Sequence, residues 1–208
     1  MLTIMTRKNS IFTIIALTFV AGLSGCTNPD TEANKTDWPS SGRSFEANRF
    51  SPLSKIHTGN IDHIGLAWSY DGFSVRGRTH RAVEATPLVI GDRLFTSGPW
   101  STVHALDAVT GAELWSYDPD VDGNWLRKTC CDAVNRGVAH KDGTIFIGTI
   151  DGYLDALSAE TGERLWRADT LTDRSRAYSI TGAPIIAGQM EKHTSELQSP
   201  YDLVCRLL

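Results

Sequence analysis

The sequence predicts an all-β protein assembled from repeated four-stranded units, and two observations point to this class. The first is an internal repeat: residues 86–115 align with residues 137–166 without a gap, and ALDAVTGAELW (105–115) shares seven of its eleven residues with ALSAETGERLW (156–166). The second is an alternation of apolar and polar residues with period two, which indicates β-strands with one buried face. Repeats of about 40–50 residues indicate propellers or solenoids, and four strands per repeat favour β-propeller blades.

The first repeat predicts four strands in chain order, joined by turns that contain glycine. These strands cover 87–90, 93–96 and 102–106, and the last one carries Trp115. Gly91 lies in the turn before the second strand, and Gly111 lies in the turn before the last. Glycine is favoured in such turns because it adopts positive φ without steric cost.

The second repeat shows the same order with stronger turn signals. Strands are predicted over 144–147 and 153–157, each preceded by an Asp-Gly pair (Asp142-Gly143 and Asp151-Gly152), and the last strand carries Trp166. An Asp-Gly pair between alternating strands is a strong signal for a tight hairpin. Two complete blades are therefore predicted.

A third copy begins upstream of these two. Trp68, in GLAWSYDG (65–72), resembles the tryptophan of LWSYDP (114–119) and predicts the end of a preceding blade. We expect the repeated tryptophans to pack between neighbouring blades.

The N-terminus is predicted to be a targeting segment. Arg7 and Lys8 precede an apolar run over 11–22, which at about 1.5 Å per helical residue is too short to cross a hydrocarbon core of about 30 Å. The run ends at Leu23-Ser24-Gly25-Cys26, which matches a bacterial lipobox, so we expect lipidation of Cys26. The alternative is a plain signal peptide in which Cys26 is incidental. The predicted segments are a signal peptide over 1–25 and a polar tether over 26–36, which place the protein on the periplasmic side of the cell envelope as a membrane-anchored lipoprotein.

The composition is that of a globular protein and excludes one class of partner. Apolar residues make up 41% of the chain, and 20 Lys and Arg stand against 24 Asp and Glu, for a net charge of −4. Binding to nucleic acid depends on clustered Lys and Arg that neutralise phosphates. No nucleic-acid partner is expected.

The adjacent cysteines Cys130 and Cys131 are the most unusual local feature of the sequence. In an exported protein they could pair with each other, pair with distant thiols, or remain two reduced and buried thiols. A bridge between neighbours would hold two Cα atoms about 3.8 Å apart, below the usual range of about 4.4–6.8 Å, and would be strained. Tolerated strain is a reason to suspect a functional site.

The motif A-x-D-x-x-T-G-x-x-x-W at 105–115 resembles the tryptophan docking motif of propellers that use pyrroloquinoline quinone (PQQ), and the second copy departs from it only at Ser158. Over 37–190 the chain resembles the quinoprotein alcohol dehydrogenases. The resemblance implies a partial β-propeller, formed by the truncated N-terminal blades of an eight-bladed protein.

Three segments carry this resemblance beyond the repeats. DWPSSGRSFEANRFSPLSKI (37–56) is similar to the family's entry segment, GNIDHIGLAWSYD (59–71) to its first blade strand, and CCDAVNRG (130–137) to the segment with its vicinal disulfide. The implied cofactor-binding residues are Glu84, Cys130, Cys131, Arg136 and Thr181. Within this set, the resemblance implies a Cys130–Cys131 disulfide that lies flat against the cofactor.

The last part of the chain does not continue the repeat. Residues 191–208 show no β alternation, and HTSELQS (193–199) looks like a translated sequencing adapter, so we expect an artefactual tail. In the resembled family the metal ligands and the catalytic base follow the segment that contains Thr181. Neither catalytic nor metal-binding residues are therefore expected within this chain.

The resemblance implies an exported PQQ-dependent alcohol dehydrogenase that transfers hydride from a small alcohol to the quinone. It also implies Ca²⁺ or a lanthanide as a second cofactor, and a cytochrome c or a quinone as the electron acceptor. One alternative is a non-catalytic propeller lipoprotein that acts as a scaffold in outer-membrane assembly, which accounts for Cys26 and the tryptophans but not for Cys130, Cys131 and Arg136. A sugar dehydrogenase of the same cofactor class is a further alternative.

Overall fold

The computed structural model describes residues 36–44, 47–77, 81–129 and 131–186, together with the backbone of Leu203–Val204. Its centre consists of two four-stranded antiparallel sheets in which the strands are neighbours in chain order. The first blade contains β1 (Leu88–Ile90), β2 (Arg93–Ser97), β3 (Val103–Asp107) and β4 (Glu113–Tyr117), and the second contains β5 (Ala139–Lys141), β6 (Thr144–Gly148), β7 (Tyr153–Ser158) and β8 (Arg164–Asp169). The predicted all-β class and the four-stranded blades are confirmed.

Short elements surround the blades. Among the described residues, 3₁₀ helices cover Ile61–His63, Pro99–Ser101 and Gly123–Lys128. A last small sheet pairs β9 (Ile185–Ile186) with β10 (Leu203–Val204). Within the part of the chain that the structure describes, no helix has the length and apolar character that a membrane crossing requires.

The largest core cluster lies between the two blades. Leu88, Phe95 and Val103 of the first blade join Ile145 and Leu157 of the second, and all five are buried. Because alternate residues of a strand face opposite sides, each blade buries one apolar set against its neighbour. The period-two pattern in the sequence thus becomes the packing between blades.

The tryptophans join consecutive blades, as the repeat predicts. A Cβ atom added to Gly111 would lie 2.5 Å from the Trp68 ring, and one added to Gly162 would lie 2.6 Å from the Trp115 ring. Trp115 also donates a hydrogen bond from Nε1 to the carbonyl oxygen of Ala159, at 3.2 Å. Each ring therefore covers the turn before the last strand of the following blade.

One predicted strand is wrong. Residues 59–71 contain the 3₁₀ helix Ile61–His63 and otherwise irregular backbone, although Trp68 docks as expected. A strand needs a hydrogen-bonded neighbour, and among the described residues none pairs with this segment. In the entry segment 37–56, Trp38 forms an isolated antiparallel bridge with Val89 on the free side of β1.

Several predictions concern residues that lie wholly or mostly outside the described ranges. The signal peptide, the lipidation of Cys26 and nearly all of the tether lie there. So does most of the predicted artefactual tail, of which the structure describes only the backbone of β10. The pairing of β10 with β9 does not test whether the tail is artefactual, since backbone of any sequence can pair with a free strand edge.

Candidate functional site

Three of the predicted site residues occupy the segments that lead into successive first strands. Glu84 lies shortly before β1, Arg136 shortly before β5, and Thr181 shortly before β9. Because consecutive blades repeat one architecture, side chains at these blade entries come to lie side by side. The sequence alone places these residues far apart.

The structure brings all three together around the guanidinium of Arg136. Its Nη1 donates a hydrogen bond to Thr181 Oγ1 at 2.8 Å. Its Nη2 lies 3.1 Å from Glu84 Oε2 and completes an ion pair. A single arginine side chain thus joins three blade entries.

The backbone of Arg136 makes the same connections. Its amide nitrogen donates to the carbonyl oxygen of Thr181 at 2.9 Å, and its own carbonyl oxygen accepts from the amide of Thr86 at 3.3 Å. Backbone bonds on both sides fix where the side chain begins. The guanidinium position is therefore determined at both ends of the side chain.

The Glu84–Arg136 pair is too accessible to act mainly as a stabilising element. The side chain of Arg136 is 45% exposed and that of Glu84 is 38% exposed. Accessible ion pairs contribute about 0–1 kcal/mol to stability, because water screens the charges. The pair instead holds the Arg136 guanidinium in a position where it remains partly exposed to solvent.

Contacts with the first blade and with Arg81 hold the segment that follows the two cysteines, residues 132–133. Cys131 is exposed, whereas Cys130 lies outside the described residues, so the disulfide stays a prediction. Asp132 forms an ion pair with Arg81, whose side chain is only 3% exposed. Trp100 donates its backbone N–H to the carbonyl oxygen of Ala133 at 2.9 Å. The residues that follow the cysteines are thereby held to the first blade.

Sequence reasoning missed the residues that support this segment. The guanidinium carbon of Arg81 lies 5.1 Å from the centroid of the Trp100 ring, and that of Arg76 lies 3.9 Å away. Trp100 and Ser101 have φ values of 65° and 59°, which side-chain-bearing residues rarely adopt. Nothing in the local sequence signals these contacts.

Asn135 was also missed, although a signal for it exists. If the alignment of the two repeats is extended upstream by two residues, Asn135 falls opposite Glu84. The position that carries a site residue in the first blade therefore carries Asn135 in the second. No metal-binding cluster of three or more His, Cys, Asp or Glu occurs among the described residues.

Comparison with known proteins first defines the class. The family model described as "PQQ: Glucose/ethanol/alcohol dehydrogenase, beta-propeller domain" matches residues 38–179. This match covers more than half of the chain, so the chain belongs to this family of dehydrogenase propellers. The resemblance that the docking motifs indicated is confirmed.

Individual relatives narrow the comparison. The 1-butanol dehydrogenase (cytochrome c) of Thauera butanivorans is 45% identical over 155 residues, which are 74% of this chain and 22% of that protein. The solved quinohemoprotein alcohol dehydrogenase from Comamonas testosteroni gives a TM-score of 0.68 at 42% identity, over 73% of this chain and 22% of its own. A europium-containing methanol dehydrogenase gives a TM-score of 0.67 at 33% identity, over 75% of this chain and 27% of its own. The chain spans about a quarter of the length of the curated relatives it matches.

Proposed function

We propose that the chain forms the N-terminal blades of an exported dehydrogenase that oxidises small alcohols by hydride transfer to bound PQQ. The convergence of Glu84 and Thr181 on the Arg136 guanidinium carries this proposal. Relatives named for alcohol and 1-butanol oxidation support the substrate class. One relative has cytochrome c in its name, which supports cytochrome c as the electron acceptor of this dehydrogenase, with a quinone as the alternative.

The residues present fit a planar, anionic quinone. Arg136 carries a permanent positive charge on a flat group whose forked donors match a carboxylate or a quinone oxygen. Thr181 accepts a bond from Arg136 at Oγ1 and keeps its own hydroxyl proton for donation to a ligand oxygen. The partial exposure of Arg136 leaves room for such a ligand.

These residues bind the quinone and orient it. When bound, the quinone supplies the two-electron acceptor, and Ca²⁺ or a lanthanide supplies a Lewis acid, as the europium-containing relative supports. Arg136 neutralises ligand charge, and Glu84 holds the plane of its guanidinium. The anchored loop after Cys131 gives the site a fixed wall, because Arg81 holds Asp132 from the protein interior.

The affinity of the complete dehydrogenase for PQQ, measured by quenching of tryptophan fluorescence in the presence of Ca²⁺, tests the proposal. We expect Arg136→Ala to weaken PQQ binding ten- to a hundredfold. Hydrogen bonds to charged groups contribute about 1.5–3 kcal/mol, and about 1.4 kcal/mol corresponds to a factor of ten.

Arg93→Ala is the matched control. Arg93 also joins the two blades through an ion pair, at 2.8 Å from Glu160, but it follows the β1–β2 turn at the opposite end of the blade. This variant should bind PQQ as the wild type does. If neither the wild type nor the control binds PQQ, the scaffold alternative is favoured; if Arg136→Ala binds normally, the proposed site is wrong.

We also propose that lipid at Cys26 anchors the protein on the periplasmic side of the cell envelope. The lipobox ending at Cys26 supports this location, because two acyl chains give the stable attachment that a single chain does not. Radiolabelled palmitate should enter the wild type but not Cys26→Ser. Equal labelling of both proteins would leave a plain signal peptide as the explanation.

A further inference from the structure

Asn135 occupies a blade-entry position, but it is buried rather than accessible. The repeat places it opposite Glu84, and it immediately precedes Arg136 in the chain. Asn135 as a whole residue is only 2% exposed, whereas the side chains of Glu84 and Arg136 are accessible. An amide buried this completely must satisfy its hydrogen bonds inside the protein.

The Asn135 side chain makes hydrogen bonds to both blades. Its Oδ1 accepts from Ser97 Oγ of the first blade at 2.7 Å and from the amide of Gly137 at 3.0 Å. Its Nδ2 donates to the carbonyl oxygen of Gly148 at the end of β6, at 2.9 Å. The backbone amide and the backbone carbonyl determine which end of the side chain is oxygen and which is nitrogen.

These bonds enclose Arg136. The bond from Gly137 to Oδ1 closes a tight turn around Arg136, and the bonds to Ser97 and Gly148 hold that turn against two strand ends. The Arg136 backbone then reaches Thr181 on one side and Thr86 on the other. Without the Asn135 amide, this turn would lose its side-chain bonds to the ends of β2 and β6.

We propose that Asn135 is a positioning residue that sets the direction of the Arg136 side chain toward the cofactor. This inference rests on the proposed function, since it assigns Asn135 a role in cofactor binding that acts through Arg136. Neither Ala nor Asp can substitute. Ala removes every hydrogen bond of the Asn135 side chain, and Asp places an oxygen against the Gly148 carbonyl.

The test uses the complete dehydrogenase, with PQQ affinity measured by fluorescence quenching and stability measured by urea unfolding. We expect Asn135→Ala and Asn135→Asp each to weaken PQQ binding about tenfold, which corresponds to about 1.4 kcal/mol. In an Arg136→Ala background the same substitutions should change PQQ affinity less than twofold, because the residue through which Asn135 acts is gone.

Tyr117→Phe separates positioning from stability. It removes a bond between the Tyr117 hydroxyl and Asp155 of the second blade, 2.7 Å long, at a buried joint that is not part of the site. This variant should lower stability and leave PQQ affinity unchanged. The inference is overturned if Asn135→Ala lowers stability alone, or if its effect on affinity persists in the Arg136→Ala background. A wild type that does not bind PQQ would instead overturn the proposed function.

Discussion

The two blades share one apolar framework but differ in the polar groups that join each to its predecessor. Both have the same strand order, and both have a register shift in the pairing of the third and fourth strands, after Ala105 in one and after Ala156 in the other. In both, a tryptophan from the preceding unit covers the last turn. The polar joints use different chemistry at equivalent positions.

The first joint is centred on the buried His104. The Tyr70 hydroxyl donates to Glu113 and lies 2.9 Å from His104 Nδ1, and His104 Nε2 lies 3.2 Å from Thr102 Oγ1. Burial, reinforced by the Glu113 carboxylate, raises the pKa of the Tyr70 hydroxyl. Burial lowers the pKa of His104, so this joint keeps a neutral imidazole.

The second joint is centred on the fully buried Asp155. Tyr117, which corresponds to Tyr70, donates to Asp155 Oδ2 at 2.7 Å. Arg167 donates to both carboxylate oxygens, from Nε at 2.6 Å and from Nη2 at 2.7 Å. The hydrogen bonds and the charge of Asp155 raise the pKa of Arg167.

The repeat requires the same apolar positions in both blades, but it allows different side chains at the buried polar position. The positions that bury apolar surface must be filled in every blade, because packing against the neighbour supplies most of the stabilisation. A buried polar position can hold an imidazole or a carboxylate, provided that its hydrogen bonds are satisfied. The energetic penalty for disturbing the joint should therefore differ between blades.

The largest difference is expected from Arg167→Ala and Ser116→Ala, since the repeat places Ser116 opposite Arg167. Removing Arg167 leaves the buried Asp155 carboxylate without its cation, which should cost about 3 kcal/mol of the free energy of unfolding. Ser116 donates only to the accessible Glu113, at 3.0 Å, so its loss should cost at most about 1 kcal/mol. Urea titrations of both variants measure the difference, and equal losses would contradict the comparison.

The next largest difference in stability is expected between Ala substitutions at two glycines with nearly the same backbone conformation. Gly143 and Gly162 have φ values of 73° and 74°, so replacement by Ala strains both equally. A Cβ on Gly143 meets no atom within 4 Å, whereas one on Gly162 would strike the Trp115 ring. We expect Gly143→Ala to cost about 1 kcal/mol and Gly162→Ala about 1–3 kcal/mol more, because overpacking displaces the tryptophan.

Thermal unfolding of both glycine variants measures this difference. Trp115 fluorescence adds a second readout, since only Gly162→Ala should change the environment of that ring. If the two variants lost the same stability, Trp115 docking would not contribute to the association of the blades.

Most of the fold could be predicted from the sequence because its signals are local and repeated. The Asp-Gly turn at Asp142 and the alternation over 144–147 specify strands without reference to distant residues. The strand that the resemblance implies over 59–71 does not form, because a strand depends on a partner and no described residue pairs with this segment.

The site could be predicted only in part. The resemblance predicts Glu84, Arg136 and Thr181 as site residues, and their shared contacts follow from their places at blade entries. Arg81 and Trp100 were missed because their role depends on contacts with Asp132 and Ala133, across a separation in sequence that no pattern spans. The repeat alignment marks the position of Asn135, but its role depends on its burial, which the sequence does not show.

The smallest effect is the part of the pH dependence that His104 contributes at the first joint, in addition to the part from His140, whose pKa burial also lowers. Burial holds the pKa of His104 below the ordinary value of about 6.5, although the Glu113 bond opposes this shift. As pH falls below that value, the unfolded chain binds a proton that the folded chain does not, so the free energy of unfolding decreases until His104 titrates in the folded state. His104→Gln should flatten this decrease, whereas replacement of the exposed His63 by Gln should leave it intact. Urea titrations between pH 7.5 and pH 5 measure both slopes. Identical slopes for His104→Gln and the wild type would show that the joint does not exclude the charged imidazole.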